Sequence, residues 1–407
     1  MRTIIIKMQY CIYLSFWMRS KLLILHRYAG LLMAFFLIIT GLTGAILAFN
    51  HEIDEWLNTD WYHVQPVNKP IISLEKINEI VGQKYPNHRV DFIDLDRAPD
   101  QSYVVRIGSM GGNTENGGSE INQIFVNPYT GAVLGGRESG AFDLSRRGIM
   151  PFLFKFHYTL HMPDKWGRWL LGGIAIIWLL DSFIGFYLTL PKHIHFNNKI
   201  DYLRRWSPAW KIKTGKAARV NYDIHRASGL WLWPVLFVTA FSSIYFNLNK
   251  EVYRPVLSLI TTFSVHPSDA LPKVEPKTPL INLDAALQRG LELRSPAAKN
   301  LPVSYLSYSQ KQNLYRLSFD ERNPNSWFKY KREQVFFDGD TGELKAIWGH
   351  SNGTAGDRFN SWQYPLHSGQ MFGLPGRILI LVSGLLTVGL SITGVIIWYR
   401  KGIKNRN

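Results

Sequence analysis

Four stretches of this chain, 22–50, 166–190, 229–248 and 374–399, are each long and apolar enough to cross a bilayer. Within a bilayer the backbone must satisfy its own hydrogen bonds, so these stretches read as helices. They cut the chain into a short extension (1–21), a large polar segment (51–165), a basic loop (191–228), a second large polar segment (249–373) and a basic tail (400–407). The net charge of +16 is distributed accordingly. Residues 1–27, 191–226 and 400–407 hold 18 Lys and Arg against only Asp201 and Asp223, which accounts for all of it. Basic residues gathered in short loops on one side of alternating spans mark the cytoplasmic face. Both termini are therefore expected in the cytoplasm, with the two large segments facing the periplasm or extracellular space, and the positive charge implies a lipid bilayer and no nucleic acid. The apolar run from Met1 to Met18 lacks a small-residue cleavage site and reads as an extension, with Met18 an alternative start.

The two halves resemble each other. His26-Arg27-Tyr28-Ala29-Gly30 opens the first span and His225-Arg226-Ala227-Ser228-Gly229 the third, at an offset of 199. Leu160-His161 precedes the second span and Leu366-His367 the fourth; Gly167-Arg168 and Gly376-Arg377 follow in turn. Each polar segment opens with a helical pattern, around Ser73–Ile77 and Leu283–Leu287, followed by alternating strands near 104–107, 124–126, 314–317 and 334–337. Asn127-Pro128-Tyr129-Thr130-Gly131 and Asp338-Gly339-Asp340-Thr341-Gly342 are turn sequences between paired strands, and the Gly- and Asn-rich stretch 110–118 reads as a loop. The expected fold is an integral membrane α+β protein, duplicated internally, with a four-helix bundle and two outer α+β modules.

One cysteine, Cys11, excludes a disulfide framework and any thiolate cluster, so metal chemistry must use nitrogen or oxygen. Twelve histidines are present, and four occupy matched positions at span ends: His26 and His225 on the inner side, His161 and His367 on the outer. A single histidine at a membrane interface is commonly a polar cap. Four in matched positions point to metal, because ionisable groups at membrane depth are costly. Two histidines facing each other at one depth in a bundle supply the axial ligands of a planar heme. The spacing predicts heme b at two levels, two per chain, with irons about 15–20 Å apart. Arg27, Arg226, Arg168 and Arg377 lie near the four histidines and suit anionic propionates. His157, one turn before His161 on the same face, is the substitute ligand or a hydrogen-bond donor to propionate or substrate. A zinc site from His157 and His161 lacks a third ligand nearby. The remaining histidines, His51, His63, His88, His193, His195, His266 and His350, have no matched partners and read as surface residues.

Taken together, the His26, Arg27 and Gly30 opening, its echo at His225, the Leu-His entries and the Asn127–Gly131 turn resemble the PepSY-associated transmembrane helix family of iron-regulated membrane proteins. The resemblance covers about residues 18–401. It implies two periplasmic PepSY-like modules and, as in some relatives, a di-heme reductase that releases iron from a ferric siderophore as Fe(II). It also implies His26, His225, His161 and His367 as heme ligands. The chain ends at Asn407 with no Gly-rich nucleotide fingerprint, so a separate cytoplasmic flavoprotein or a quinol is the expected electron donor. Trp56, Trp61, Trp362, Tyr364 and Arg358 are the expected substrate surface. Two rival readings are a PepSY protein that regulates a peptidase or partner without redox chemistry, and a repeat-built permease.

Overall fold

The computed structural model describes residues 2–86, 88–109, 121–163, 165–191, 199–320, 332–349 and 353–404, without the side chains of 2–16 and 199. The 110–118 loop, His193, His195 and His350 fall outside the described residues. Four helices are long and apolar enough to cross a membrane: Trp17–Leu47, Trp166–Thr189, Ala217–Asn247 and Gln370–Ile403. We call them spans 1 to 4. Span 1 belongs to a helix running from Arg2 to Leu47. Span 3 begins at Ala217, twelve residues ahead of its apolar stretch, because Asp223, fully buried, is neutralised there by Arg219 at 2.9 Å and Arg226 at 2.8 Å.

The spans form a ring in which each packs on the next and span 4 returns to span 1. Spans 1 and 4 approach closest. A Cβ on Gly384 would lie 2.6 Å from the carbonyl oxygen of Gly41, and one on Gly41 would lie 2.8 Å from that of Gly384. Small residues allow this contact, as expected of helices whose association rests on close packing. Phe35, Leu180, Phe183, Trp231 and Leu385 point outward and exposed, the apolar rim that lipid would cover.

Beyond the bundle, eight strands make one antiparallel sheet: β1 (His88–Asp94), β2 (Tyr103–Ser109), β3 (Gln123–Val126), β4 (Val133–Arg137), β5 (Val303–Ser309), β6 (Leu314–Asp320), β7 (Arg332–Asp338) and β8 (Leu344–Gly349). Their spatial order is β4-β3-β2-β1-β5-β6-β7-β8. The first four come from the first polar segment and the last four from the second, joined where Phe92, Ile93 and Asp94 pair with Ser307, Leu306 and Tyr305. The two modules read from the sequence are thus one sheet over one core. Ile77, Val81, Val105 and Ile124 of the first half pack in one cluster with Leu306, Leu317, Val335 and Phe337 of the second.

Two helices cover this core, Leu74–Lys84 and Leu283–Leu293, with Ser73 and Asn282 as N-caps accepting from Lys76 N–H and Ala285 N–H. Their first turns also cap each other. The amides of Leu74 and Glu75 donate to Asp284 at 2.9 and 3.1 Å, and the amide of Leu283 donates to Glu75 at 3.0 Å. Each helix N-terminus therefore receives a carboxylate from the other half, where free N–H groups and the helix dipole favour an anion. In the β3–β4 and β7–β8 turns, Asn127 and Asp338 each accept two backbone amides, and Gly131 and Gly342 take the left-handed conformation (φ 74° and 68°).

Salt bridges brace sheet and bundle. Asp54, just beyond span 1, is buried against Arg137 of β4 at 2.9 and 2.6 Å and accepts from the Tyr62 hydroxyl at 2.7 Å. Arg377 of span 4 donates to the Ala48 carbonyl at 2.8 Å and to Glu52 at 2.5 Å, and its guanidinium lies 4.5 Å from the Phe49 ring centroid.

Candidate functional site

At the end of the bundle far from the sheet, His26 of span 1 and His225 of span 3 face each other with ring centroids 6.2 Å apart. Each sits over a glycine of the neighbouring span. A Cβ on Gly185 would be 3.3 Å from His26 Cε1, and one on Gly394 would be 3.2 Å from His225 Cε1. The rings line a partly open cavity of about 260 Å³ among all four spans, with Arg27, Arg226, Gly30, Gly229, Trp178 and Trp398 on its walls.

At the end near the sheet the facing pair is His157 and His367, with centroids 6.3 Å apart. His157 lies on a helix, Ile149–Thr159, that follows β4; His367 ends a helix, Ala355–His367, that follows β8. The second of these is fixed by a capping box between Thr354 and Asp357. The expected partner of His367 was His161, and here the structure differs. The first helix stops at Thr159, and Leu160 and His161 turn into the left-handed region (φ 53° for both). His161 is thereby swung away, stacked 4.7 Å from the Phe152 ring with its Nε2 buried and unpartnered. The structural counterpart of His367 is therefore His157, four residues earlier than the Leu-His match implies.

All four facing imidazoles are held by Nδ1. His26 Nδ1 donates to both oxygens of Asp181 at 3.0 and 2.9 Å. His225 Nδ1 donates to the Leu390 carbonyl at 3.0 Å and also meets the Thr393 hydroxyl at 3.0 Å. His157 Nδ1 meets the Thr43 hydroxyl and His367 Nδ1 the Ser242 hydroxyl, each at 2.8 Å. Those hydroxyls spend their own protons on the Ile39 and Val238 carbonyls, so the imidazoles must be the donors. The hydrogen-bond network thus assigns the proton to Nδ1 in all four, which leaves Nε2 as the nitrogen available to a metal. Burial also favours the neutral form of His157 and His367. His157 and His367 lie outside the four spans, and desolvation pushes the first down to about 3, with His367 adding to the effect, and the second to about 4.

The spacing has a chemical meaning. Two imidazoles bound through Nε2 to one metal at about 2 Å, roughly in line, place their centroids about 6.4 Å apart. Both pairs stand within a few tenths of that value. Among the described residues no group of three or more His, Cys, Asp or Glu is placed to hold a metal ion, so each pair suits a group that brings its own equatorial ligands. The two levels are 17 residues apart along spans 1 and 3, from His26 to Thr43 and from His225 to Ser242, or about 26 Å of helical rise.

The arginines divide. Arg27 and Arg226 line the cavity beside His26 and His225, and Arg226 also donates to Asp223. Arg377 is committed to Glu52 and Ala48, and Arg168 is exposed near Glu251; neither meets a facing histidine. Of the expected substrate surface, Trp61 packs against Phe125 and under Arg147, so it is structural. Trp362, Tyr364 and Arg358 are exposed on the His367 helix, and Trp56 is 76% exposed beside Arg146 and His63. The sequence reading missed Thr43, Ser242, Thr393 and Asp181. Asp181 carried a signal, a lone acid inside an apolar span.

Fold and site together define a membrane protein with a four-span helical bundle, an antiparallel α+β head and paired histidines at two levels. The sequence matches the family described as PepSY-associated TM region over residues 23–401, and the chain belongs to that family. No curated protein matches it.

Proposed function

We propose that this chain is a di-heme b electron-transfer protein of the bacterial inner membrane that reduces a ferric siderophore on its periplasmic side. The observation that carries the reading is the pair of facing imidazole sets, 6.2 and 6.3 Å apart, each anchored at Nδ1. His26 and His225 would hold one heme b, and His157 and His367 the second. When bound, heme supplies one-electron carriage between donor and acceptor. The chain's own contribution is to fix the ligand tautomers, keep water from the ligands and set charge around them. Arg27 and Arg226 line the cavity at the basic end and would pair with propionates there, and the basic loops favour the cytoplasm for that end. The close likeness of the two halves supports their origin by duplication.

The substrate surface lies at the other end, where Trp362, Tyr364 and Arg358 flank His367. Hydroxamate and catecholate oxygens favour hard Fe(III), so addition of one electron weakens the chelate and releases Fe(II). The electron comes from a separate donor, a quinol or a soluble flavoprotein. The test is an optical spectrum of the detergent-purified protein, oxidised and dithionite-reduced, with pyridine hemochrome quantitation. Two hemes b per chain, reoxidised anaerobically by a ferric hydroxamate, is the expected result. A protein without heme after heme-replete expression refutes the reading.

A further inference from the structure

The four anchored histidines differ in one respect. Three donate Nδ1–H to neutral oxygens: Thr43 Oγ1, Ser242 Oγ and the Leu390 carbonyl. His26 alone donates to a carboxylate, and Asp181 receives it on both oxygens with its side chain 5% exposed. Gly185 and Gly394 hold equivalent places under His26 and His225, and four residues before each stand Asp181 and Leu390. At the position where span 4 offers only a backbone carbonyl, span 2 carries a carboxylate.

We infer that Asp181 is a positioning and tuning residue that lowers the reduction potential of the metal group held by His26 and His225 below that of the group held by His157 and His367. The inference rests on the di-heme reading and adds to it the order of the two potentials. A carboxylate accepting from the far nitrogen makes an imidazole a stronger donor. A stronger imidazole donor and an added negative charge would both favour the oxidised state of a bound iron group. The positive groups on the same cavity, Arg27, Arg226 and Lys401, are shared with solvent, propionates or Asp223, whereas Asp181 acts through the ligand itself. The sheet-proximal pair, held by two hydroxyls, has no such carboxylate among the described residues. With a redox group held at each level, one electron would pass downhill from the group held by His26 and His225, which would be oxidised, to the group held by His157 and His367, which would be reduced.

The experiment is a spectroelectrochemical titration of the full-length, heme-loaded protein and its Asp181→Asn variant, with the His367→Ala variant identifying the sheet-proximal component. Asp181→Asn is expected to raise the sheet-distal midpoint by at least a tenfold change in its equilibrium, 59 mV for a one-electron couple, and to leave the other midpoint unchanged. Asp181→Glu, which keeps the charge, is expected to retain the low value. Two hemes with no shift in Asp181→Asn overturn the inference while leaving the di-heme reading intact; a wild type with no heme defeats that reading instead. If Asp181→Asn loses the sheet-distal heme, Asp181→Glu decides. Heme regained at the wild-type potential supports the inference, and heme regained at a raised potential or not at all overturns it.

Discussion

Replacing His157 and His161 separately asks which of two histidines one helical turn apart belongs to the site. His157 stands 6.3 Å from His367, centroid to centroid, with Nδ1 tied to Thr43. His161 is turned away against Phe152. His157→Ala should reduce hemochrome-determined heme from two to one per chain, because the sheet-proximal level then keeps one protein ligand. His161→Ala should leave two, with loss of a partly buried aromatic contact costing about 1 kcal/mol of stability. Thr43→Val is subtler. It removes the acceptor that orients His157, and loss of such a partner typically weakens metal affinity 10–100-fold, or about 1.4–2.7 kcal/mol. Competition with apo-myoglobin would report the faster heme loss, and Thr43→Ser should restore retention. One heme in His161→Ala with two in His157→Ala would refute the reasoning outright.

The scaffold makes its own predictions. Arg137→Met strands the buried Asp54 carboxylate and should destabilise the protein by about 3–5 kcal/mol, read as a large fall in melting temperature in detergent. Gly384→Leu drives a side chain into the Gly41 carbonyl and should part spans 1 and 4, lowering the yield of folded protein in size-exclusion profiles, whereas Gly389→Ala, with open space around it, should not. Asp284→Ala removes the acceptor of two amides in the other half and should cost about 1–2 kcal/mol. Burial pushes the Asp357 carboxyl up, but hydrogen bonds from Ser264 and Thr354 outweigh it and hold the group below its usual 3.8. A carboxyl depressed on folding stabilises the fold above the unfolded value and loses that contribution as pH falls through the folded one. Melting temperature should therefore drop more steeply below pH 4 in the wild type than in Asp357→Asn.

Much of the local structure was legible in the sequence. Strand alternation, the Asn127 and Asp338 turns and the apolar spans are encoded within a few residues of one another, and each stands in the structure where its pattern predicts. Pairing of β1 with β5 was not legible, because it joins Ile93 to Leu306 across more than two hundred residues and two spans. The site was legible to within one turn. Matching Leu160-His161 to Leu366-His367 compared dipeptides, but ligand geometry depends on where each helix stops, and the left-handed turn at Leu160 shifted the matching position to His157. The Thr43 and Ser242 pair, itself at an offset of 199, is the sequence mark of the sheet-proximal level, since each hydroxyl lies beneath one of its imidazoles.

His157 and His367 are delivered by helices that leave the sheet from β4 and β8, its two opposite edges. With strands about 4.8 Å apart, those edges are separated by roughly 34 Å, yet the rings they deliver meet at a few ångströms. The two histidine helices close that distance by packing on the bundle, the first against spans 1 and 2 and the second against span 3. The gap at the sheet-proximal level is thus set from two sides at once, by the β1–β5 seam that joins the halves of the sheet and by Thr43 and Ser242, which hold the rings from within the bundle.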